Sequence, residues 1–97
     1  MQETIYKQND NFVYRQIENE TILVPIKDNA GDMGYIYNLN PVAAFIWRQF
    51  DGKASIRDIQ ARITEEFDVS DGQAATDLDE LISDLIAIEA ILPVGDP

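Results

Sequence analysis

The sequence predicts an α+β domain, a three-stranded antiparallel sheet followed by three helices. Three observations predict it. Two runs of β-branched and aromatic residues flank the pair Glu18-Asn19, as the arms of a hairpin would. Asn40-Pro41 is a helix cap followed by the proline that a first helical turn accepts. Ser55 and Ser70 each precede apolar residues at helical spacing. The 97 residues suffice for one such domain with a core, but not for a core and a deep enclosed active site.

Residues 1–11 are polar, with Ile5 and Tyr6 the only large apolar side chains after Met1. They read as a flexible lead-in to a domain spanning 12–92. Phe12 to Ile17 and Glu20 to Lys27 form the hairpin within residues 12–27. Pro25 cannot donate to a ladder, so the second arm is expected to be interrupted or bulged there, or to pair more weakly beyond Val24. Asp28 to Met33 is a loop by composition. Its Asp28, Asn29 and Asp32 superficially resemble a calcium loop, but the alternating ligand spacing and the distant bidentate glutamate are missing, so no metal is expected. Gly34 to Leu39 is the third strand, with Tyr35, Tyr37 and Leu39 on one face and Ile36 on the other.

Val42, Ala43, Phe45, Ile46, Trp47 and Phe50 fill a helix near 41–51, ended by a left-handed cap or turn at Asp51-Gly52. Ser55, with Asp58 in the capping-box position, opens a helix near 56–67 whose core stripe is Ile56, Ile59, Ile63 and Phe67. Ser70 and Gln73 open the last helix, near 71–88. Its Ala74, Ala75, Leu78, Leu81, Ile82, Leu85, Ile86 and Ile88 cover an arc of roughly 160°, where a core-facing stripe needs about 100°. One flank therefore packs on the core and the other borders a groove. Glu89 would fall inside the apolar arc, so the helix stops near Ile88. Pro93 ends the fold, and 93–97 is a tail.

The net charge is −11, and its distribution is uneven. All seven basic residues lie at or before Arg62, whereas ten of the eighteen acids lie from Glu65 onward. The C-terminal third therefore repels nucleic acid and anionic membrane and favours a basic peptide or protein partner. Histidine and cysteine are both absent, which excludes disulfides, thiolate sites and every Ser-His or Cys-His nucleophile. No apolar run reaches a membrane span and no signal pattern opens the chain, so a cytoplasmic protein is expected. A nucleic-acid-binding domain would need a basic recognition helix, and the last helix has no lysine or arginine. An acyl-carrier-like protein would need a serine opening a helix, whereas Ser83 lies in mid-helix.

Tyr37-Asn38-Leu39-Asn40, Ile46-Trp47, Asp51-Gly52, Ser55 to Ile59, Phe67-Asp68-Val69 and Asp77 to Ile82 occur in an order that resembles the PqqD family. These are the small proteins of pyrroloquinoline quinone biosynthesis and their relatives in peptide modification. The resemblance covers roughly residues 12 to 92. Two departures are visible: Ala90 stands where a glycine is usual and should tolerate a left-handed cap less well, and the Asp28–Met33 loop is longer than many relatives need.

The resemblance implies a winged-helix-like domain, without catalytic residues or cofactor, that binds the leader of a ribosomally made precursor peptide. The leader would add as a strand to the edge of the third strand, beside the last helix. The chain would present it to a modifying enzyme, a radical S-adenosylmethionine protein in the quinone pathway, or serve as an acidic interaction module in another peptide-modifying system. The residues this assigns to the peptide are Gly34, Tyr35, Ile36, Tyr37 and Asn38 on the strand. On the helix they are Asp77, Leu78, Leu81, Asp84, Leu85 and Ile88. The Leu81 edge is favoured for the groove because Asp77 and Asp84 beside it could meet a leader lysine or arginine. Which strand amides point outward, and the oligomeric state, stay open.

Overall fold

The computed structural model describes residues 4–26 and 36–94. The element order is β1 (Ile5–Gln8), β2 (Phe12–Ile17), β3 (Glu20–Pro25), β4 (Tyr37–Leu39), α1 (Pro41–Gln49), β5 (Asp51–Ser55), α2 (Ile56–Glu66), α3 (Asp71–Ala87) and β6 (Ile91–Pro93). The strands form two three-stranded antiparallel sheets, ordered β2-β3-β4 and β5-β1-β6. The described residues are thus α+β with three helices, and the single sheet expected from sequence is one of two among them.

The hairpin is β2–β3, paired without a break from Ile17↔Glu20 to Phe12↔Pro25. Glu18 has φ 56, the positive value that two-residue hairpin loops require at their first position. Pairing does not weaken at Pro25, since the Ile26 amide donates to the Asn11 carbonyl at 2.8 Å. Bonded and non-bonded pairs alternate along an antiparallel ladder. Val24 and Ile26 therefore turn their amides toward β2, and the donor missing at Pro25 lies on the side facing away from β2.

The second sheet corrects the reading of the N-terminus. Residues Ile5–Gln8, expected to lie in a flexible lead-in, form its central strand, flanked by β5 and β6. Tyr6 meets Phe50 edge-to-face at 6.1 Å, and the Gln8 side-chain amide donates to the Trp47 carbonyl at 2.9 Å. The β5 strand occupies what was expected to be only a turn after α1. The Asp51 carboxylate accepts from the Ala54 and Lys53 amides at 3.0 and 2.8 Å, and these bonds lower its pKa. Gly52 has φ +82, the left-handed conformation expected of it.

The helices end one or two residues earlier than expected. Asn40 caps α1 and Ser55 caps α2 in a complete capping box with Asp58. At α3 only half the box forms: Ser70 accepts from the Gln73 amide, while the Gln73 side chain turns along the helix to Asp77. The end of α3 is a Schellman turn, with Ala90 N–H bonded to the Leu85 carbonyl and Glu89 N–H to the Ile86 carbonyl. Glu89 takes the left-handed conformation, at φ 63. Ala90 itself does not, and it is fully buried, as is Leu85, whose carbonyl its N–H bonds.

Leu23 and Leu39 from the hairpin sheet, Ile46, Trp47 and Phe50 from the α1 region, Ile59 and Ile63 from α2, Leu78 and Leu85 from α3, and Ile91 from β6 make one continuous core. Both sheets and all three helices contribute to it. The position of β4 relative to α3 is thereby fixed from both sides.

Candidate functional site

The β4 strand has one partner, β3, among the described residues. Its pairs are Thr21↔Leu39, Ile22↔Asn38 and Leu23↔Tyr37. Since Val24 and Ile26 bond toward β2, the alternation makes Thr21 and Leu23 the residues that bond toward β4. Tyr37 and Leu39 therefore spend their backbone groups on β3. The N–H and C=O of Asn38 face away from the sheet, and no strand among the described residues pairs with them.

Beside that edge lies a groove of about 250 Å³ between β4, α1 and α3. Tyr37, Asn38 and Asn40 line its sheet side, Val42, Ala43 and Ile46 the α1 wall, and Asp77, Glu80, Leu81 and Asp84 the α3 wall. The four α3 residues recur at i, i+3, i+4 and i+7, one face of a helix, so a single stripe presents one leucine among three carboxylates. Asp77 accepts a hydrogen bond from Gln73 and Asp84 one from Tyr37, and neither these two nor Glu80 has a basic partner among the described residues. The Tyr37 hydroxyl is pushed up to about 12, first by burial, then by donating to the Asp84 carboxylate and lying beside its charge.

Of the strand residues assigned from sequence, Tyr37 and Asn38 line the groove, Ile36 is 56% exposed at the edge, and Gly34 and Tyr35 lie outside the described residues. Of the helix residues, Asp77, Leu81 and Asp84 line the groove together. Leu78 and Leu85 are instead buried in the core, and Ile88 is half-buried against it at the C-cap of α3. The edge of α3 that carries Leu81 thus borders the groove, while Asp79 and Ile86 lie off it. Sequence reasoning missed the α1 wall, Asn40 and Glu80. A signal for α1 was present: Val42 to Trp47 is apolar at every position, more than one side of a helix can bury.

Among the described residues no cluster of three or more carboxylates could hold a metal ion, and no helix is long and apolar enough to cross a membrane. The Asp28–Asp32 run, weighed as a calcium loop, lies outside the described residues. The groove offers an open strand edge, an apolar strip and negative charge, which suit an extended peptide.

The fold is shared with solved peptide-bound proteins. It is similar to TbiB1 in complex with the TbiA(beta) leader peptide, at a TM-score of 0.71 and 22% identity, over 93% of this chain and 99% of that one. It is also similar to lasso peptide synthetase B1 complexed with the leader peptide, at a TM-score of 0.73 and 22% identity, over 91% of this chain and 98% of that one. No curated protein matches the sequence. The family model for Coenzyme PQQ synthesis protein D (PqqD) matches residues 20–91, and the chain belongs to the PqqD family.

Proposed function

We propose that this protein binds the leader of a ribosomally synthesised precursor peptide as an added strand on β4 and presents it to a modifying enzyme. The observation that carries the reading is the outward backbone of Asn38 at the mouth of the groove, derived from the β2–β3–β4 register. A guest strand gains main-chain hydrogen bonds there and places alternate side chains in the groove. The two similar solved structures, both bound to leader peptides, support the same reading.

In this reading the chain does no chemistry itself, acts in the cytoplasm, and hands the peptide to its partner. The domain as a whole is winged-helix-like in this reading, and the helices and the β5-β1-β6 sheet hold the groove in shape. The family description points to the quinone pathway, where the sequence resemblance implies a radical S-adenosylmethionine partner, whereas one structural neighbour is a lasso peptide synthetase. Leader binding is the step these two systems would share.

The test is titration of the ¹⁵N-labelled protein with precursor peptides encoded beside it. Saturable binding should move the amides of residues 36–39 and of the Asp77–Asp84 face of α3 together. Saturable binding that leaves both unmoved would place the peptide elsewhere and defeat the proposal.

A further inference from the structure

Resting on the strand-addition reading, we propose that the guest is selected for a lysine or arginine on its groove-facing side, one residue from the position paired with Asn38. Its methylene stem lies along Leu81 and Ala43, and its cation sits among Asp77, Glu80 and Asp84. Two independent features of the groove lead there.

The first is register. Asn38 meets the groove along the strand edge, but its side chain lies on the face of β4 opposite Tyr37 and Leu39, and the guest residue bonded to it shares that opposite face. The guest residues on either side fall opposite Tyr37 and Leu39 and share their face. That face looks into the groove, since the Tyr37 hydroxyl reaches Asp84 on α3 at 3.0 Å. Groove-facing guest side chains therefore occur one position either side of the Asn38 pair and two residues apart.

The second is charge. Glu80 and Asp84 are as exposed as Asp79, but Asp79 lies off the groove on the far side of α3 and stays hydrated whether or not a peptide docks. Asp77, Glu80 and Asp84 stand instead on the wall of a concavity, with Leu81 between them and the apolar α1 wall opposite. A docked peptide strips water from these carboxylates, which have no basic partner among the described residues. Removing water from a carboxylate without supplying a partner opposes binding. A guest cation offsets that cost, a neutral side chain does not, and an acidic one adds repulsion. A long side chain with an apolar stem and a charged head matches both the strip and its rim.

The experiment selects displayed random peptides against the full-length protein, then measures synthetic copies of the winners by calorimetry and by the Asn38 amide shift. The winners should carry lysine or arginine, and replacing that residue by norleucine should weaken binding about five- to tenfold. In the E80Q/D84N double variant the same replacement should cost little further, which assigns the effect to these carboxylates. Winners that shift the Asn38 amide yet tolerate norleucine overturn the inference and leave strand addition standing. Winners that bind without shifting Asn38, or a selection that yields no binder, overturn both.

Discussion

The Tyr37 hydroxyl donates to Asp84 Oδ2 at 3.0 Å and so ties β4 to α3 across the mouth of the groove. The two residues are 47 positions apart in sequence. Their bond spans the gap that an added strand would border.

The bond has a pH signature. Tyr37 titrates near 12 in the folded protein because burial, and then Asp84, disfavour the phenolate, while an unfolded tyrosine titrates near 10. A group whose folded pKa is raised contributes stability in full below its unfolded pKa and loses it as pH climbs through the folded value. Stability should therefore fall between about pH 10 and 12. Tyr37→Phe should lack this step and lose up to about 1 kcal/mol at neutral pH. Phenolate absorbance and denaturant midpoints across that window check both, and a variant with the wild-type profile would refute the assignment.

Proline scanning of β4 separates binding from folding. Asn38→Pro removes a donor that faces away from the sheet and should leave stability within about 1 kcal/mol of wild type. It should weaken leader binding at least about tenfold, by deleting one ladder bond and crowding the guest. Leu39→Pro removes a donor aimed at β3 and should unfold the hairpin sheet. If Asn38→Pro binds normally, the free edge of β4 is not the docking edge.

Leu81 is 6% exposed yet lines the groove, so truncation should act on both properties. Leu81→Ala should cost about 2–4 kcal/mol of folding stability and about 1 kcal/mol or more of leader affinity. Melting and affinity measured on the same sample distinguish the two. A stability loss with unchanged affinity would make Leu81 a core residue only.

Salt and charge reversal probe the α3 rim. Leader affinity should fall as ionic strength rises, because exposed pairs are screened over about 8–10 Å. Asp84→Lys should slow association more than it speeds dissociation. Stopped-flow rates at two salt concentrations decide this, and salt-independent affinity would remove the acidic wall from recognition.

Deleting residues 2–8 tests the second sheet. With β1 gone, β5 and β6 lose their common partner, and the melting midpoint should drop by about 10 °C or more. An unchanged midpoint would return these residues to the role of a lead-in.

The helices and the hairpin were legible in the sequence because their signals are local. Asn40, Ser55 and Ser70 each bond an amide three residues on, and β2 and β3 are separated by two residues, so a short window contains each cause with its effect. The excess width of the α3 apolar arc was equally local, but of its residues only Leu81 lines the groove.

The second sheet and the contents of the groove were decided by tertiary structure. Ile5 pairs with Ser55 and Lys7 with Leu92, so neither strand of either pair carries a cue that its partner's neighbourhood can read. Strands of three to five residues bury too little apolar surface to announce themselves by alternation. The α3 helix likewise declared that it had a spare flank, but only packing of Leu78 and Leu85 into the core rotated Asp77, Leu81 and Asp84 toward β4. The outward direction of the Asn38 amide followed from the hairpin register, which a single strand's sequence does not contain, because a backbone donor points inward or outward only relative to the neighbour that claims the other side.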